Sequence, residues 1–285
     1  MSEPWTVATV LKWAADDFRT RGIENPRLDA EVLLAFALGV ARTQLFIDLG
    51  KPLDPKELTA FRELVKRRRS REPVAYLRGF REFYGRDFKV DARVLIPRPD
   101  TECLVDVALK QTAHVSLSMR ALDVCTGSGC VGITLARERP TSAVMATDTS
   151  DEALAVARDN ALRLGAYNVA FARADLFHGL TGPFDVITAN PPYIASAEVE
   201  TLSPDIVKHE PRLALDGGAD GLDFVRRIVT DAPALLVSGG TLAMEIGAGQ
   251  AAAVTEIFEG RGFSLVNRAN DYARIPRVVF GTWRP

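Results

Sequence analysis

The sequence predicts a mixed α/β protein: a small all-helical domain, then a β-hairpin, then a mostly parallel sheet with helices on both faces. From residue 120 onward, apolar runs of strand length alternate with segments of helical periodicity, a pattern typical of a parallel sheet wrapped by helices. Residues 5–75, in contrast, carry helical stripes and no strand-like run. Apolar and polar residues then alternate around Gly85, which predicts a hairpin between the two parts.

The composition is that of an ordinary globular protein. Of the 285 residues, 47% are apolar and 25% are charged, and a net charge of −2 argues against a surface built to hold long nucleic acids. No apolar run approaches the ~20 residues that a bilayer span needs, and no signal peptide is recognised at the N-terminus. Three cysteines without an export signal suggest reduced thiols and a cytoplasmic location. The spacing of histidines and cysteines resembles no metal site, so we expect no metal.

Helical periodicity organises the first part of the chain, residues 1–75, which we interpret as a recognition domain. A first stripe of apolar residues begins at Val7 and ends before Gly22, a residue typical of a helix C-terminus. Asp54-Pro55 is a favourable start for a later helix. A second helix between these two is predicted from the stripe Leu28, Val32, Leu33 and Phe36.

Five cations occur in the six residues 66–71, where the last of these helices should end. Cations at a helix C-terminus interact favourably with the helix dipole, and a solvated basic face is the interpretation that we favour. Contact with RNA phosphates or with an acidic partner is the alternative.

A segment braced by Pro97 and Pro99 connects the predicted hairpin to the predicted sheet. Proline restricts its own φ and the residue before it, so this segment should be extended. We expect the side chain of Asp100 or Thr101 to cap the helix that follows. Arg98 lies either in a simple linker or in a wall of the active site.

Seven strands and four helices are predicted after residue 120. The strands are expected near 121–124, 143–147, 169–172, 184–189, 241–245, 263–267 and 277–283. The helices are expected near 130–138, 151–164, 221–236 and 248–260.

The fourth of these strands runs into Asn190-Pro191-Pro192-Tyr193. The prolines must end the strand because they donate nothing to a sheet ladder, and the ends of strands in open α/β sheets are where ligands bind. The Asn190 side-chain oxygen and the Pro191 carbonyl are hydrogen-bond acceptors, and Tyr193 offers a flat face. Such a site suits a planar NH2 group, although an ordinary Asn-Pro turn is the alternative.

A glycine-rich loop follows the first strand of the predicted sheet. Gly127, Gly129 and Gly132 form G-x-G-x-x-G, and Asp148 follows 21 residues after Gly127, at the position of a ribose-binding acid in dinucleotide sites. This motif by itself supports a nicotinamide enzyme as well as any other enzyme with a nucleoside-bearing cofactor.

The charges near the glycine-rich loop distinguish a nicotinamide dinucleotide from other nucleoside-bearing cofactors. Asp123, Asp148 and Asp175 occur at the ends of successive strands, and no Lys or Arg occurs between Asp123 and Leu135. Three acids suit a ligand with an ammonium, a sulfonium and ribose hydroxyls, and they disfavour a pyrophosphate. S-adenosylmethionine fits that description, whereas each acid taken alone is as readily a helix cap or a solvated loop residue.

These motifs together resemble those of class I S-adenosylmethionine-dependent methyltransferases, whose domain is a Rossmann-like, mostly parallel seven-stranded sheet with helices on both faces. Asn-Pro-Pro-Tyr is shared by the adenine-N6 DNA methyltransferases and the protein-glutamine N5 methyltransferases of this class. The whole chain resembles the peptide chain release factor glutamine methyltransferase family more narrowly. The motifs that carry the narrower resemblance are Phe83-Tyr84-Gly85, residues 94–102, 210–215 and 217–222, and Glu245-Ile246-Gly247.

The resemblance implies three parts: a helical substrate-recognition domain (1–75), a β-hairpin linker (76–97) and a methyltransferase domain (98–285). It implies methyl transfer to the glutamine of the Gly-Gly-Gln motif in class I release factors. The implied catalytic residues are Asn190, Pro191 and Tyr193. The implied S-adenosylmethionine-binding residues are Asp123, Cys125, Thr126, Gly127, Ser128, Gly129, Asp148, Asp175, Leu176 and Asn190. The implied substrate-binding residues are Arg98, Asn190, Pro191, Pro192 and Tyr193.

The release factor is the expected partner, with no metal, no membrane and no direct nucleic-acid binding, and we expect a monomer. Asp100 stands where the family usually has Glu, and Cys125, Leu176, His209 and residues 271–277 also depart from its usual pattern.

Four alternatives stay open at this point. The strongest is an adenine-N6 methyltransferase acting on DNA or RNA, because adenine also presents a planar NH2 group. The others are a glutamine methyltransferase acting on another translation protein, a cofactor-binding regulator without turnover, and a nicotinamide oxidoreductase.

Overall fold

A computed structural model describes residues 5–115 and 118–285. The chain forms two compact units: one contains the residues up to Phe80 together with 203–209, and the other contains 81–202 and 210–285. The domain limits at residues 75 and 97 stay predictions.

The first unit is helical, as predicted. Its helices are α1 (Val7–Thr20), α2 (Pro26–Leu38), α3 (Arg42–Ile47), α4 (Pro55–Arg69) and α5 (Val74–Arg78). Asp54 begins α4 as expected: its carboxylate accepts from the backbone N–H groups of Lys56 and Glu57, which satisfies donors that a helix start leaves unpaired. Gly39 ends α2 in the left-handed conformation, which favours glycine.

The predicted apolar stripe of α2 is only partly correct. Leu33 is fully buried, but Leu28 and Phe36 are 43% and 40% exposed. The face that packs against α1 and α4 is instead formed by Ala30, Leu33 and Leu34. Small Ala30 lets neighbouring helices approach, and Phe36 packs edge-to-face on Phe80.

Only part of the basic run is a solvated face, which corrects the favoured interpretation: Lys66 and Arg67 are exposed. Arg68 is only 4% exposed, and its guanidinium donates to Asp29 at 2.8 Å and to Asp205 at 2.6 Å. Arg69 donates two hydrogen bonds to Asp17. Arg67 pairs with Glu72, and Arg71 lies 3.6 Å from Asp205, so four of the five cations have a carboxylate partner in the first unit. Asp205 belongs to the short helix Pro204–His209 of that unit.

The hairpin is confirmed. Strands β1 (Phe80–Phe83) and β2 (Arg86–Lys89) pair with each other. Tyr84 and Gly85 between them have φ values of 52° and 69°, the left-handed conformations that a two-residue hairpin turn requires.

The second unit contains the predicted seven-stranded sheet. The strands are β3 (Arg120–Val124), β4 (Ala143–Asp148), β5 (Val169–Arg173), β6 (Phe184–Ala189), β7 (Leu236–Glu245), β8 (Ser264–Asn270) and β9 (Pro276–Thr282). The remaining helices are α6 (Glu102–Gln111), α7 (Cys130–Glu138), α8 (Asp151–Leu164), α9 (Ser196–Val199), α10 (Pro204–His209, in the first unit), α11 (Asp223–Asp231) and α12 (Ala251–Arg261).

The strand order is β5-β4-β3-β6-β7-β9-β8, with β3 to β7 parallel and β9 antiparallel to both of its neighbours. The chain moves outward from β3 to β5 and then returns to the other side of β3 with β6. The order reverses between β3 and β6, where open α/β sheets form a crevice at the carboxyl ends of the strands.

Alternate residues of each strand pack on opposite faces of the sheet. Leu122 and Ile187 belong to one apolar cluster, and Ala121 and Val186 belong to the other. This period of two is the expected geometry of a sheet covered on both sides.

The start of α6 differs from the prediction. Pro99–Thr101 forms a turn of 3₁₀ helix, and neither Asp100 nor Thr101 caps α6 through its side chain. Thr101 has helical backbone angles, whereas a capping residue needs a non-helical conformation. The Thr101 hydroxyl is therefore available for another contact.

Within residues 5–115 and 118–285, no helix combines the length and apolar character of a membrane span. The same residues contain no group of His, Cys, Asp or Glu side chains arranged to hold a metal ion.

Candidate active site

The sheet register brings the glycine-rich loop and the Asn-Pro-Pro-Tyr turn together. Val124 pairs with Ala189 across β3 and β6, and Cys125 and Asn190 are the residues that follow. Both therefore lie at the crevice where the strand order reverses.

A cavity of about 1050 Å³, including its open mouth, occupies this crevice. Eleven of the predicted site residues line it: Arg98, Asp123, Cys125, Thr126, Gly127, Ser128, Asp148, Asp175, Leu176, Asn190 and Pro192. Gly129, Pro191 and Tyr193 are not among its lining residues in the described part of the chain.

Backbone donors of the glycine loop are used within the protein. The N–H of Gly127 donates to Asp148 at 2.9 Å, that of Gly129 to the Thr126 carbonyl at 2.8 Å, and that of Gly132 to Asp123 at 3.0 Å. A pyrophosphate needs such donors free. The loop geometry therefore disfavours a dinucleotide.

Glycine is favoured at positions 127 and 129 for different reasons. Gly127 has a left-handed φ of 55°, which favours glycine. A Cβ there would meet no protein atom within 4 Å, so the side of the loop at this residue is open. A Cβ on Gly129 would lie 2.6 Å from the side chain of Ile133 and 3.2 Å from that of Ala157. Gly129 thus allows α7 and α8 to pack closely, consistent with its place outside the cavity lining.

Asp148 ends β4, as predicted for a ribose-binding acid. Its carboxylate accepts from the backbone N–H groups of Gly127 and Ser150. Burial raises the pKa of Asp148, although these two hydrogen bonds act in the lowering direction. These contacts hold the carboxylate at the cavity while its further lone pairs can accept hydroxyl groups.

Asp123 organises the loop. It is 1% exposed and accepts from the Thr126 hydroxyl at 2.6 Å, the Thr188 hydroxyl at 2.9 Å and the Gly132 N–H. Burial raises the pKa of Asp123 to about 6. Three protein groups already donate hydrogen bonds to its oxygens, so Asp123 has a structural role in holding the loop on the sheet.

Asp175 follows β5 and is not an isolated charge. Arg227 of α11 donates to both of its oxygens at 2.9 Å. The prediction of three anionic strand ends did not anticipate this partner, which is distant in the sequence. The next residue, Leu176, is buried and has a φ of 52°.

Cys125 also has a left-handed backbone, with a φ of 59°, which is uncommon for a non-glycine residue. Its half-buried thiol lines the cavity, and burial raises its pKa above the ordinary value. The thiol is therefore neutral and serves as a wall of the cavity.

The Asn190 carboxamide is oriented by Thr101. Its Nδ2 donates to the Thr101 hydroxyl at 3.3 Å, and both residues line the cavity. Because the NH2 end of the carboxamide is engaged, Oδ1 is left to accept a hydrogen bond from a ligand.

Tyr193 lies behind the cavity lining. Its hydroxyl donates to Glu245 at 3.3 Å, and its carbonyl accepts from Gln250 at 2.8 Å. Burial, and the nearby Glu245 carboxylate, raise the pKa of Tyr193 above its ordinary value. Pro191 and Pro192 are buried before it, so the turn is anchored at both ends.

Arg98 lines the cavity and is paired. Its guanidinium donates to Glu210 at 2.7 Å, and the other oxygen of Glu210 accepts from the Ile96 N–H at 3.1 Å. The Glu210 side chain is 2% exposed, and the adjacent Pro211 lines the cavity. Glu210 thereby connects residues 96–98 to the segment that begins at Pro211.

Sequence reasoning assigned no site role to Thr101, Glu210 or Glu245. Glu210 and Glu245 occur in motifs that carry the family resemblance. Those motifs are the feature of the sequence that could have identified both residues. Thr101 was interpreted as a helix cap, and its true contact, with a residue 89 positions away, has no local pattern.

Comparison with known proteins identifies the family. Residues 9–79 match the model of the PrmC N-terminal domain, and residues 101–219 match the methyltransferase small domain. The chain is 45% identical over 280 residues to a release factor glutamine methyltransferase of Geobacter sulfurreducens, covering 98% of this chain and 97% of the relative. The chain belongs to the release factor glutamine methyltransferase family.

A second relative supports the family, and a solved structure shows the fold. A release factor glutamine methyltransferase of Chlorobaculum tepidum is 42% identical, with 96% of each chain covered. Among solved structures, a methyltransferase from Pyrococcus furiosus has the same fold, with a TM-score of 0.53 and 20% identity over 71% of this chain and 91% of that one. Membership in the family implies the use of S-adenosylmethionine.

Proposed function

We propose that this chain transfers a methyl group from S-adenosylmethionine to the side-chain amide nitrogen (N5) of the glutamine in the Gly-Gly-Gln motif of class I release factors. The observation that carries the proposal is the Asn190 carboxamide, held by Thr101 at the wall of the cavity. It belongs to a chain related over nearly its whole length to release factor glutamine methyltransferases.

The cavity residues fit S-adenosylmethionine. Asp148 would accept the ribose hydroxyls, and the open side of Gly127 leaves room for a ligand against the backbone. Cys125, Thr126, Ser128 and Leu176 would form the apolar and polar walls around it. When bound, the cofactor supplies an electrophilic methyl group on its sulfonium.

Amide methylation requires help because the nitrogen lone pair is delocalised into the carbonyl group. In the proposed mechanism, the substrate NH2 donates one hydrogen bond to Asn190 Oδ1. The other would go to the carbonyl of Pro191, which is not itself among the lining residues but lies between Asn190 and Pro192, both of which line the cavity. Both acceptors favour loss of planarity at nitrogen and stabilise the positive charge that develops on it. Correct orientation of reacting groups can contribute up to about 7–11 kcal/mol, so the proton can leave to water after transfer without a strong base.

The residues that line the cavity also support binding of the glutamine-bearing peptide loop. Pro97 and Arg98 would border the channel for the glutamine-bearing loop, with Arg98 held in place by Glu210. Tyr193 would stiffen the turn rather than offer an open face, because its hydroxyl and carbonyl are both engaged.

The helical unit would bind a second surface of the release factor, since residues 9–79 match the N-terminal domain of this family. The substrate places the reaction in the cytoplasm, where translation ends. Adenine methylation uses the same NH2 geometry, but the basic run that favoured it is neutralised by Asp29, Asp205 and Asp17. No observation favours that alternative.

The test incubates the protein with methyl-labelled S-adenosylmethionine and either a class I release factor or adenine-containing duplex DNA, followed by mass spectrometry of the digests. We expect one methyl group on the glutamine of the Gly-Gly-Gln motif and none on DNA. A release factor whose motif glutamine is replaced by asparagine is the matched substrate control and should remain unlabelled.

Label on adenine, or on the control release factor at the same rate, would contradict the proposal. Label on a glutamine outside this motif would contradict only the assignment of the substrate.

A further inference from the structure

Glu245 is a buried carboxylate next to the Asn-Pro-Pro-Tyr turn. It is the last residue of β7, and the preceding residue, Met244, pairs with Ala189 of β6. Glu245 therefore lies beside Asn190 in the sheet, although it is not among the residues that line the cavity. Its exposure is 1%.

The contacts of this carboxylate are few. Oε1 accepts from the Tyr193 hydroxyl at 3.3 Å, and Oε2 has no hydrogen-bond partner within the described ranges. Removing a carboxylate from water is costly unless its oxygens are paired. An apolar side chain of similar size would fill the same space at lower cost, so packing alone does not account for Glu245.

Tyr193, at the end of the turn, donates a hydrogen bond to Glu245. Burial raises the pKa of the Glu245 carboxyl, and Thr101 and Arg277 act in the lowering direction. Thr101 is also the residue that accepts from Asn190 Nδ2.

The Tyr193 hydrogen bond connects Glu245 to the turn that carries Asn190. Tyr193 follows Asn190 by three residues, and the two prolines between them restrict the backbone. The position of Tyr193, and with it the path of the turn, therefore depends on the Glu245 carboxylate.

We infer that Glu245 is a positioning residue for amide methylation: it holds Tyr193, and thereby the turn that presents Asn190 Oδ1 to the substrate NH2. The inference rests on the proposed function. Glu245 touches no substrate, so its effect is on the geometry of the turn.

The test compares Glu245→Met with Glu245→Gln. Methionine keeps the volume but removes the acceptor, whereas the glutamine carbonyl can still accept from Tyr193. We expect kcat for glutamine methylation to fall at least tenfold in Glu245→Met and less than threefold in Glu245→Gln. The Kd of S-adenosylmethionine should change less than twofold, and thermal stability should be unchanged or higher in Glu245→Met, because a buried unpaired charge is removed.

A double-mutant cycle with Tyr193→Phe gives a second readout. Because both substitutions break the same hydrogen bond, the double variant Glu245→Met/Tyr193→Phe should lose no more activity than the worse single variant. Glu259→Gln, on the exposed face of α12, is the matched control and should keep the wild-type kcat.

The outcomes separate this inference from the proposed function. If wild type binds the cofactor but transfers no methyl group to glutamine, the proposed function fails and the inference falls with it. If wild type methylates glutamine and Glu245→Met has the same kcat, or if the two substitutions are additive, only the inference is overturned. Equal losses of kcat and stability in both Glu245 variants would also overturn it, since they indicate a packing role.

Discussion

The side-chain amide of Asn190 donates to the hydroxyl of Thr101 at 3.3 Å. This hydrogen bond joins the turn after β6 to the start of α6, and it decides which end of the carboxamide is left for a ligand. A catalytic role for Asn190 therefore predicts a measurable role for Thr101.

Thr101→Val should lower kcat for glutamine methylation by about 3- to 10-fold, because a net hydrogen bond contributes about 0.5–1.5 kcal/mol and 1.36 kcal/mol is a factor of ten in rate. The loss leaves Asn190 Nδ2 without its acceptor and allows the carboxamide to rotate. Steady-state kinetics with saturating cofactor measure it. Thr101→Ser keeps the hydroxyl and should retain at least half of the wild-type kcat, and equal rates for the Val and wild-type proteins would refute the orienting role.

Asn190→Ala should lower kcat by a factor on the order of 10²–10³, the usual consequence of losing one preorganised group that stabilises developing charge. Cofactor affinity should stay within about threefold of wild type, since Asp148 and the glycine loop are untouched. Single-turnover kinetics and calorimetric titration separate the two quantities. Asn267→Ala, at an exposed position of β8, is the control, and a wild-type rate for Asn190→Ala would rule out the mechanism.

Asp148→Ala should raise the Kd of S-adenosylmethionine by about 10- to 100-fold. Hydrogen bonds to a charged group contribute about 1.5–3 kcal/mol, and 1.4 kcal/mol is a factor of ten in affinity. The substitution also leaves the Gly127 N–H without its acceptor. Isothermal titration measures the Kd. Asp151→Asn, an exposed residue of the α8 first turn, should change it less than twofold, and an unchanged Kd in Asp148→Ala would argue against this ribose contact.

Arg68→Ala should destabilise the protein by about 3–5 kcal/mol, the cost of breaking a buried ion pair by removing one partner. The substitution leaves Asp29 and Asp205 facing each other without their shared guanidinium. Burial already raises the pKa of Asp29, and the substitution removes the Arg68 hydrogen bond and charge that lower it. Asp29 then holds its proton more tightly in the folded than in the unfolded state, so the destabilisation should shrink as the pH falls. Urea unfolding at about pH 7 and about pH 4 measures both effects.

Arg62→Ala is the matched control for Arg68, because Arg62 is an exposed arginine of the same helix. We expect a change within about 0.5 kcal/mol. If Arg68→Ala and Arg62→Ala had equal stabilities, the buried ion pairs of Arg68 would contribute nothing, and the basic run would act as a solvated face.

Burial raises the pKa of Glu245 from 4.5 to about 7, with Arg277, Thr101 and Tyr193 acting in the lowering direction and Asp100 in the raising one. The folded state therefore holds this proton more tightly than the unfolded state. Its contribution to stability is fully present below about pH 4.5 and is lost as the pH rises through about 7. The associated free energy is on the order of 3 kcal/mol.

Glu245→Gln should remove this dependence. The unfolding free energy of wild type minus that of the variant should therefore decrease between about pH 5 and about pH 8, measured by urea titration at each pH. Asp123 has a pKa raised in the same direction, and it is common to both proteins, so the difference isolates Glu245. A difference that stays constant across this range would show that Glu245 is ionised throughout.

Local sequence patterns were sufficient for the order of the elements. An apolar run of strand length predicted β6 at its observed limits, Phe184–Ala189, and Asp54-Pro55 predicted the start of α4 because a cap acts within one helical turn. The glycine loop, Asp148 and Asn190 could also be placed at one edge of a sheet, since the carboxyl ends of parallel strands meet there.

Contacts between distant segments could not be predicted in this way. The partner of Asn190 is 89 residues away, that of Asp175 is 52 residues away, and Arg68 reaches Asp205 across 137 residues. A charge in the sequence carries no information about which opposite charge will meet it, and so a run of cations appeared solvated and three acids appeared unpaired.

The chain by itself determined where strands, helices and the chemistry-bearing turn occur, because these depend on neighbours within a few residues. Only the tertiary structure decided which oxygen of each site residue is already engaged and which is left for a ligand. That distinction depends on side chains brought together by packing, and it is what assigns Asn190 Oδ1, Asp148 and Glu245 their different roles.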